Sequence, residues 1–144
     1  MTAPLRVGVI GAGAIAQVAH LPVLARLKEV QLVGICDNDL AKAQAVAARF
    51  QVEAVYDDIE DLLTDARPAA VAVCTPNHLH EIHVHTAVSA GVHVLCERPL
   101  ALSSAGVEHI IAAQRRTDRA VMVGLNHRYR TDVQALRSFL KTGE

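Results

Sequence analysis

The sequence predicts an α/β fold, a doubly wound parallel sheet with helices on both faces. Three observations carry this. Short aliphatic runs recur at 5–10, 31–36, 69–74, 92–96 and 120–123, and the segments between them space their apolar residues as helices do. The residues are 51% hydrophobic but only 3% aromatic, so Val, Ile, Leu and Ala must build the core, as they do in strands covered on both sides. The first run also ends on a glycine-rich turn that opens a helix-compatible segment. A chain of 144 residues suits one such domain.

The elements follow in order. Leu5 to Ile10 is the first strand, and Gly11-Ala12-Gly13-Ala14-Ile15-Ala16 is a G-x-G-x-x-A turn of Rossmann type. Gly11 permits the tight strand-to-helix turn, Gly13 lets a pyrophosphate approach the backbone, and Ala16 lets the helix pack closely on the strand. The helix N-terminus offers N–H groups and a positive dipole end to phosphates. Pro22 falls inside the helical run and should kink or restart it. Gln31 to Cys36 is the second strand. Asp37 stands at its carboxyl end, 24 residues after Gly13, where a carboxylate can accept hydrogen bonds from ribose hydroxyls. Asp39 is expected to cap the next helix, whose apolar stripe is Leu40, Ala43, Ala47 and Phe50.

A short third strand is expected at Ala54-Val55-Tyr56, then a short helix with Ile59, Leu62 and Leu63 inward. Ala69 to Cys74 reads as a central strand broken by Thr75-Pro76-Asn77. A helix opens at His78 and closes at Gly91, in a left-handed cap position. Val92 to Cys96 is the fifth strand, with Glu97-Arg98-Pro99 at its end. Ser103 can cap a helix whose core face is Val107, Ile110, Ile111 and Gln114. Ala120 to Val123 is the sixth strand, followed by Gly124 to Arg130 and an amphipathic helix carrying Val133, Leu136, Phe139 and Leu140. Ligands of such sheets bind outside the strands' carboxyl ends. Gly11 and Gly13, Asp37, Thr75-Pro76-Asn77, Glu97-Arg98 and Asn126-Arg128 all mark that edge.

Composition excludes several classes. Net charge is −1, which gives no case for nucleic acid or an anionic membrane as partner. The charge is uneven, with seven basic and twelve acidic residues in 1–114 against seven and three in 115–144. Cys36, Cys74 and Cys96 form no C-x-x-C pair, so no zinc ribbon or disulfide framework is implied. Met1-Thr2-Ala3-Pro4 lacks a leader pattern and no apolar stretch reaches spanning length, so a reducing, cytoplasmic setting is expected. His78, His80, His83 and His85 invite a metal reading, but their spacing matches no zinc pattern. No metal site is expected, and His83 and His85 are read as surface residues.

The glycine turn, Asp37, the Thr75-Pro76-Asn77-His78-Leu79-His80 block and Glu97-Arg98-Pro99 together resemble the glucose–fructose oxidoreductase / inositol dehydrogenase (Gfo/Idh/MocA) family. His20-Leu21-Pro22 and Asn126-His127-Arg128-Tyr129 fit it as well, and the likeness runs from about Leu5 to the last residue. The resemblance implies an NAD(P)-dependent oxidoreductase acting on sugars, polyols or related hydroxy compounds. It implies that Gly11, Gly13, Ala14 and Ile15 hold the pyrophosphate end and flank the nicotinamide, and that Asp37, with Asn38 beside it, holds the adenosine ribose. Thr75, Pro76, Asn77 and His80 would line the cofactor groove, and Glu97 would approach the nicotinamide ribose.

Two departures stand out. The family's usual Glu-Lys-Pro is Glu97-Arg98-Pro99 here. Arg98 could orient a hydroxyl or stabilise negative charge, but is a poor proton-transfer group. The chain also stops where the family's substrate domain should begin, so residues 1–124 are expected to be the NAD(P)-binding domain and 125–144 a linker towards an absent domain. NAD is expected over NADP, since Asp37 would repel a 2′-phosphate and neither Asn38 nor Asp39 offers a positive partner. The apolar side of the Val133–Leu140 helix is expected to favour self-association or docking to missing partner residues. A non-catalytic nucleotide-binding or sensor module with a degenerate Glu-Arg-Pro site is the alternative. A methyltransferase is a third reading, which the Thr75-Pro76-Asn77 and Glu97-Arg98-Pro99 blocks oppose.

Overall fold

The structure is a computed structural model and describes residues 3–143; the first two residues, where the leader reading begins, and the last lie outside it. Six strands form one parallel sheet: β1 (Leu5–Ile10), β2 (Val30–Cys36), β3 (Val55–Tyr56), β4 (Ala70–Val73), β5 (His93–Cys96) and β6 (Val121–Val123). Their spatial order is β3-β2-β1-β4-β5-β6, the doubly wound arrangement expected. The order reverses between β1 and β4. Loops leaving those two strands therefore part in opposite directions and open a crevice at their carboxyl ends.

Alternation along each strand assigns side chains to two faces. Val9, Ile35, Ala72 and Cys74 pack in one cluster with Leu21, Ala43, Val46 and Ala47, from α1 (Leu21–Leu24) and α2 (Leu40–Phe50). Ile10, Cys36, Val71, Val73, Val94 and Cys96 pack in the other. Opposite them lie Leu62, from a π-helical turn (Leu62–Ala66) after α3 (Ile59–Asp61), Val84 and Val88 of α4 (His80–Ser89), and Ile110 of α5 (Ser104–Gln114). The strands are short and their side chains small, which lets helices approach from both sides. Burial pushes the Cys36, Cys74 and Cys96 thiols up to about 12, helped by nearby carboxylates, Asp58 foremost at Cys36 and Glu97 at the other two. None is a thiolate nucleophile at neutral pH.

Local chemistry explains most boundaries. Asp39 caps α2 by accepting from the Lys42 N–H at 3.0 Å, and Ser103 caps α5 through the Gly106 N–H at 3.0 Å. Gly91 follows α4 at φ +77°. Pro22 sits in the first turn of α1, directly after a π-helical turn (Ala16–His20). The widened turn relieves the clash a proline ring makes with the carbonyl four residues earlier.

Two stripes and one helix boundary differ from expectation. In α5 the buried residues are Gly106, Ile110 and Ala113, while Ile111 faces out at 41% exposure. The i, i+4, i+7 spacing puts these three on one face, and Gly106 lies where a side chain would run into Glu81 of α4. In α2, Val46 joins Ala43 and Ala47 inside, whereas Leu40 is exposed. The helix expected from His78 starts at His80, after a 3₁₀ turn (Asn77–Leu79). The last helix, α6 (Thr131–Thr142), is amphipathic as expected, and Val133, Leu136, Phe139 and Leu140 are all exposed.

Candidate functional site

Backbone hydrogen bonds bring the carboxyl ends of the strands to one level. The ladder runs one residue past each strand: Gly11 N–H donates to Cys36 O at 2.7 Å, Cys74 to Ile10 at 2.7 Å, Glu97 to Val73 at 3.0 Å and Gly124 to Cys96 at 2.8 Å. Asp37 N–H donates to Tyr56 O at 3.0 Å. Each first loop residue is thus held as firmly as the strand before it.

At the reversal point Gly11 has φ +95°, and a Cβ there would lie 2.8 Å from the Cys74 carbonyl and the Thr75 nitrogen. Only glycine lets the turn nest against the loop after β4. Gly13 differs. A Cβ there would meet nothing within 4 Å, so its missing side chain leaves open space in front of the turn.

A groove of about 470 Å³ occupies this crevice. It is lined by Gly11, Gly13, Asp37 and Asn38 on one side and by Thr75, Pro76, His78, Leu79 and His83 on the other, with Lys42, Asp57 and Asp58 towards β3. Asp37 is its best-held polar group. One carboxylate oxygen accepts from the Ala12 N–H at 2.8 Å. The other accepts from the Asp39 N–H at 2.9 Å and pairs with Lys42 Nζ at 2.8 Å. Burial pushes the Asp37 pKa upward, but the bonds from Lys42, Asp39 and Ala12 outweigh it and hold the carboxyl below its ordinary range.

Six of the expected residues, Gly11, Gly13, Asp37, Asn38, Thr75 and Pro76, meet around this groove. Ala14 and Ile15 lie exposed at the opening of the helical segment, and Asn77 begins the 3₁₀ turn beside Pro76. His80 is a correction. It was expected to line the groove, yet it is fully buried. One ring nitrogen lies 2.6 Å from the Pro99 carbonyl and the other 2.8 Å from the Thr75 carbonyl. A neutral imidazole can donate to one of these oxygens and a protonated one to both. Either way the ring staples the Thr75 loop to the Arg98-Pro99 turn from behind. His83 is the second correction: it is not a surface residue. It lines the groove, and its Nδ1 lies 3.0 Å from Thr75 Oγ1. Burial, then neighbouring His80, push its pKa down, so its ring is neutral at neutral pH. His85 is exposed. Among the described residues no group of three or more His, Cys, Asp or Glu converges as a metal would need.

Glu97 stands past β5, with its carboxylate 2.8 Å from His20 Nε2 and 3.3 Å from the Arg98 N–H. This contact spans from the helix after the glycine turn to the end of β5. Arg98 is exposed beyond it and faces a second hollow with Asn126, His127 and Arg128. Lys42, His20 and His83 were not singled out for the site by sequence reasoning. Lys42 had a readable signal, lying three residues after the helix cap in the first turn of α2. The His20–Glu97 contact joins residues 77 apart and had none.

The switch-point crevice, the open space at Gly13 and the buried strand-end carboxylate define a dinucleotide-binding domain. The family described as "Oxidoreductase family, NAD-binding Rossmann fold" (GFO_IDH_MocA) matches residues 5–125, and the chain belongs to it. A D-glucoside 3-dehydrogenase of Escherichia coli is 34% identical over 142 residues, covering 99% of this chain and 40% of that protein. An inositol 2-dehydrogenase of Salmonella typhimurium is 32% identical, covering 97% and 42%. A solved 3-ketoreductase from Actinomadura kijaniata, in complex with TDP-benzene and NADP, superposes with TM-score 0.89 at 29% identity, covering 97% of this chain and 44% of that one. The apo scyllo-inositol dehydrogenase of Lactobacillus casei, at TM-score 0.92 and 22% identity over 99% of this chain and 43% of that one, shares the fold. The chain spans about two fifths of the length of these curated relatives. Among the described residues no helix is long and apolar enough to cross a membrane.

The two glycines should separate stability from binding. Gly11→Ala is expected to destabilise the fold by roughly 1–3 kcal/mol, from the positive φ and the backbone clash. Gly13→Ala should leave the melting temperature unchanged or slightly raised and weaken dinucleotide binding. Thermal denaturation and NADH titration of both variants check this.

Asp37 should mark the acid limb of stability. Its folded pKa is depressed, so its contribution is present above the ordinary carboxylate range and is lost as pH falls through the folded value. The stability gap between wild type and Asp37→Asn, measured without cofactor, should therefore be full at pH 7 and close on acidification.

Proposed function

We propose that the chain is the cofactor domain of an NAD-dependent oxidoreductase, which passes hydride between nicotinamide and a sugar, polyol or related small hydroxy compound. The observation that carries this is the groove at the reversal point, with open space at Gly13 and the Asp37 carboxylate fixed along its wall. The dehydrogenase names of the relatives support the reaction class.

The nicotinamide, when bound, supplies or accepts the hydride. The rest falls to residues of this chain. The turn at Gly11 and Gly13, continued by Ala14 and Ile15, offers backbone N–H groups to the pyrophosphate. Asp37 accepts the adenosine ribose hydroxyls, with Asn38 beside it. Thr75, its hydroxyl oriented by His83, and Pro76 and Asn77 form the opposite wall. Glu97, steadied by His20, meets the nicotinamide ribose. Arg98 orients the substrate hydroxyl or stabilises charge developing on its oxygen. It is not the proton acceptor, because a guanidinium stays protonated.

NAD is preferred. Asp37, Asp57 and Asp58 give the ribose end three carboxylates, and Lys42, the one lysine or arginine lining it among the described residues, is already paired with Asp37. Residues 125–144 begin the connection to a substrate-binding part, which also supplies the proton acceptor. This is supported by the chain's share of its relatives' length. That part, or a second copy of the chain, covers the apolar face of α6 in a homo-oligomer. Three reduced, buried cysteines suit a cytoplasmic setting.

Titration with NADH and NADPH tests the cofactor reading. NADH should bind about tenfold tighter or more, roughly 1.4 kcal/mol, and equal or tighter NADPH binding overturns it. In an active natural form, Arg98→Ala should lower kcat/KM about tenfold or more with little change in NADH affinity. Unchanged kinetics would leave Arg98 a structural role only.

A further inference from the structure

Beyond the cofactor groove, β5 and β6 end side by side, with Cys96 opposite Val123. Their following loops enclose a hollow of about 410 Å³, lined by Arg98, Leu125, Asn126, His127, Arg128 and Val133. Its polar residues are two arginines, a histidine and an asparagine, beside the aliphatic Leu125 and Val133, and none is acidic.

The nearest acids are committed elsewhere. Glu97 points to His20, and it meets Arg98 only through the backbone N–H. Asp132 is paired with Arg130, whose guanidinium donates to both of its oxygens, at 3.1 and 2.6 Å. Among the described residues, neither the Arg98 nor the Arg128 guanidinium has a carboxylate within 4.0 Å, since the ion pairs are His20–Glu97, Lys42–Asp37, His109–Glu81 and Arg130–Asp132. Two arginines thus face one hollow while a third, close in sequence, is neutralised.

This lining suits a neutral polyol poorly. Each sugar hydroxyl needs an acceptor for its proton, and of these side chains only Asn126 and a neutral His127 can accept. It suits an oxyanion well, because guanidinium forks match carboxylate and phosphate oxygens in pairs.

We infer that the hollow is an oxyanion subsite, and that the substrate is an acidic sugar or hydroxy compound whose carboxylate or phosphate ester is held by Arg98 and Arg128. This rests on the oxidoreductase reading for the word substrate, but not for the binding itself. The anion anchors the molecule at one end and leaves the carbinol to face the nicotinamide. Arg98 then acts through the anion as well as the reacting hydroxyl, which accounts for a fork-shaped cation in place of a lysine.

The test uses the intact natural protein, saturated with NADH so that the cofactor's own phosphate sites are filled. Equilibrium binding of D-glucuronate, inorganic phosphate and D-glucose is measured by calorimetry at low and high salt. At least one anion should bind tenfold or more tighter than D-glucose, with the advantage shrinking at high salt. Preference for glucuronate assigns a carboxylate, and preference for phosphate a phosphate ester. Arg98→Ala/Arg128→Ala should abolish the advantage while NADH affinity and melting temperature hold. Arg130→Gln should keep it, because Arg130 is already neutralised. D-glucose binding as well as the anions, no anion binding, or an advantage that survives the double variant would each overturn the proposal. NADH titration in the same samples reads the cofactor function separately, so either can fail alone.

Discussion

The close approach of two backbones at Gly11 is the contact on which the rest depends. The turn after β1 lies against the Cys74–Thr75 peptide, at a distance no side chain tolerates. It also donates to Cys36 on the other side. One residue therefore sets the spacing between the loops after β2, β1 and β4. The crevice exists because those loops diverge from this point, and its floor is level because the ladder continues through Cys74, Glu97 and Gly124. Side chains then finish what the backbone begins. Asp37 closes one flank on Ala12, and His80 ties the Thr75 loop to Pro99 on the other.

Much of this was legible in the sequence because parallel strands covered on both sides leave a continuous aliphatic signature. All six strands fall within a residue or so of the runs that predict them. The glycine turn and Asp37 were legible for a related reason: their places follow from local position, at the end of a strand. What escaped were contacts between residues far apart in the chain. A histidine on a helix reads the same whether it is stapled between two carbonyls, as His80 is, or lines a groove, as His83 does. Only the packing of α4 against the strand ends decides which. The stripe of α5 shows the same limit, since its packing turns Gly106, Ile110 and Ala113 inward and leaves Ile111 outside.

Charge is distributed along the binding edge in a graded way. Carboxylates gather past β2 and β3, with Lys42 as their internal counter-ion. The His20–Glu97 pair stands near the middle, and arginines gather past β5 and β6. A long ligand laid across the sheet thus meets hydrogen-bond acceptors at one end and donors at the other. That polarity fixes its direction without any single strong contact.

The strand order carries a further consequence. Asp37 follows β2 and Arg98 follows β5, and β1 and β4 lie between them. At about 4.8 Å per strand, that is roughly 14 Å, beyond the range over which substitutions usually couple. Changes at the two flanks should then combine as independent increments of free energy. A lineage of such chains could exchange one partner molecule for another at the arginine flank and leave its nucleotide untouched, or do the reverse. If the two flanks hold nucleotide and substrate as proposed, the sheet insulates one specificity from the other.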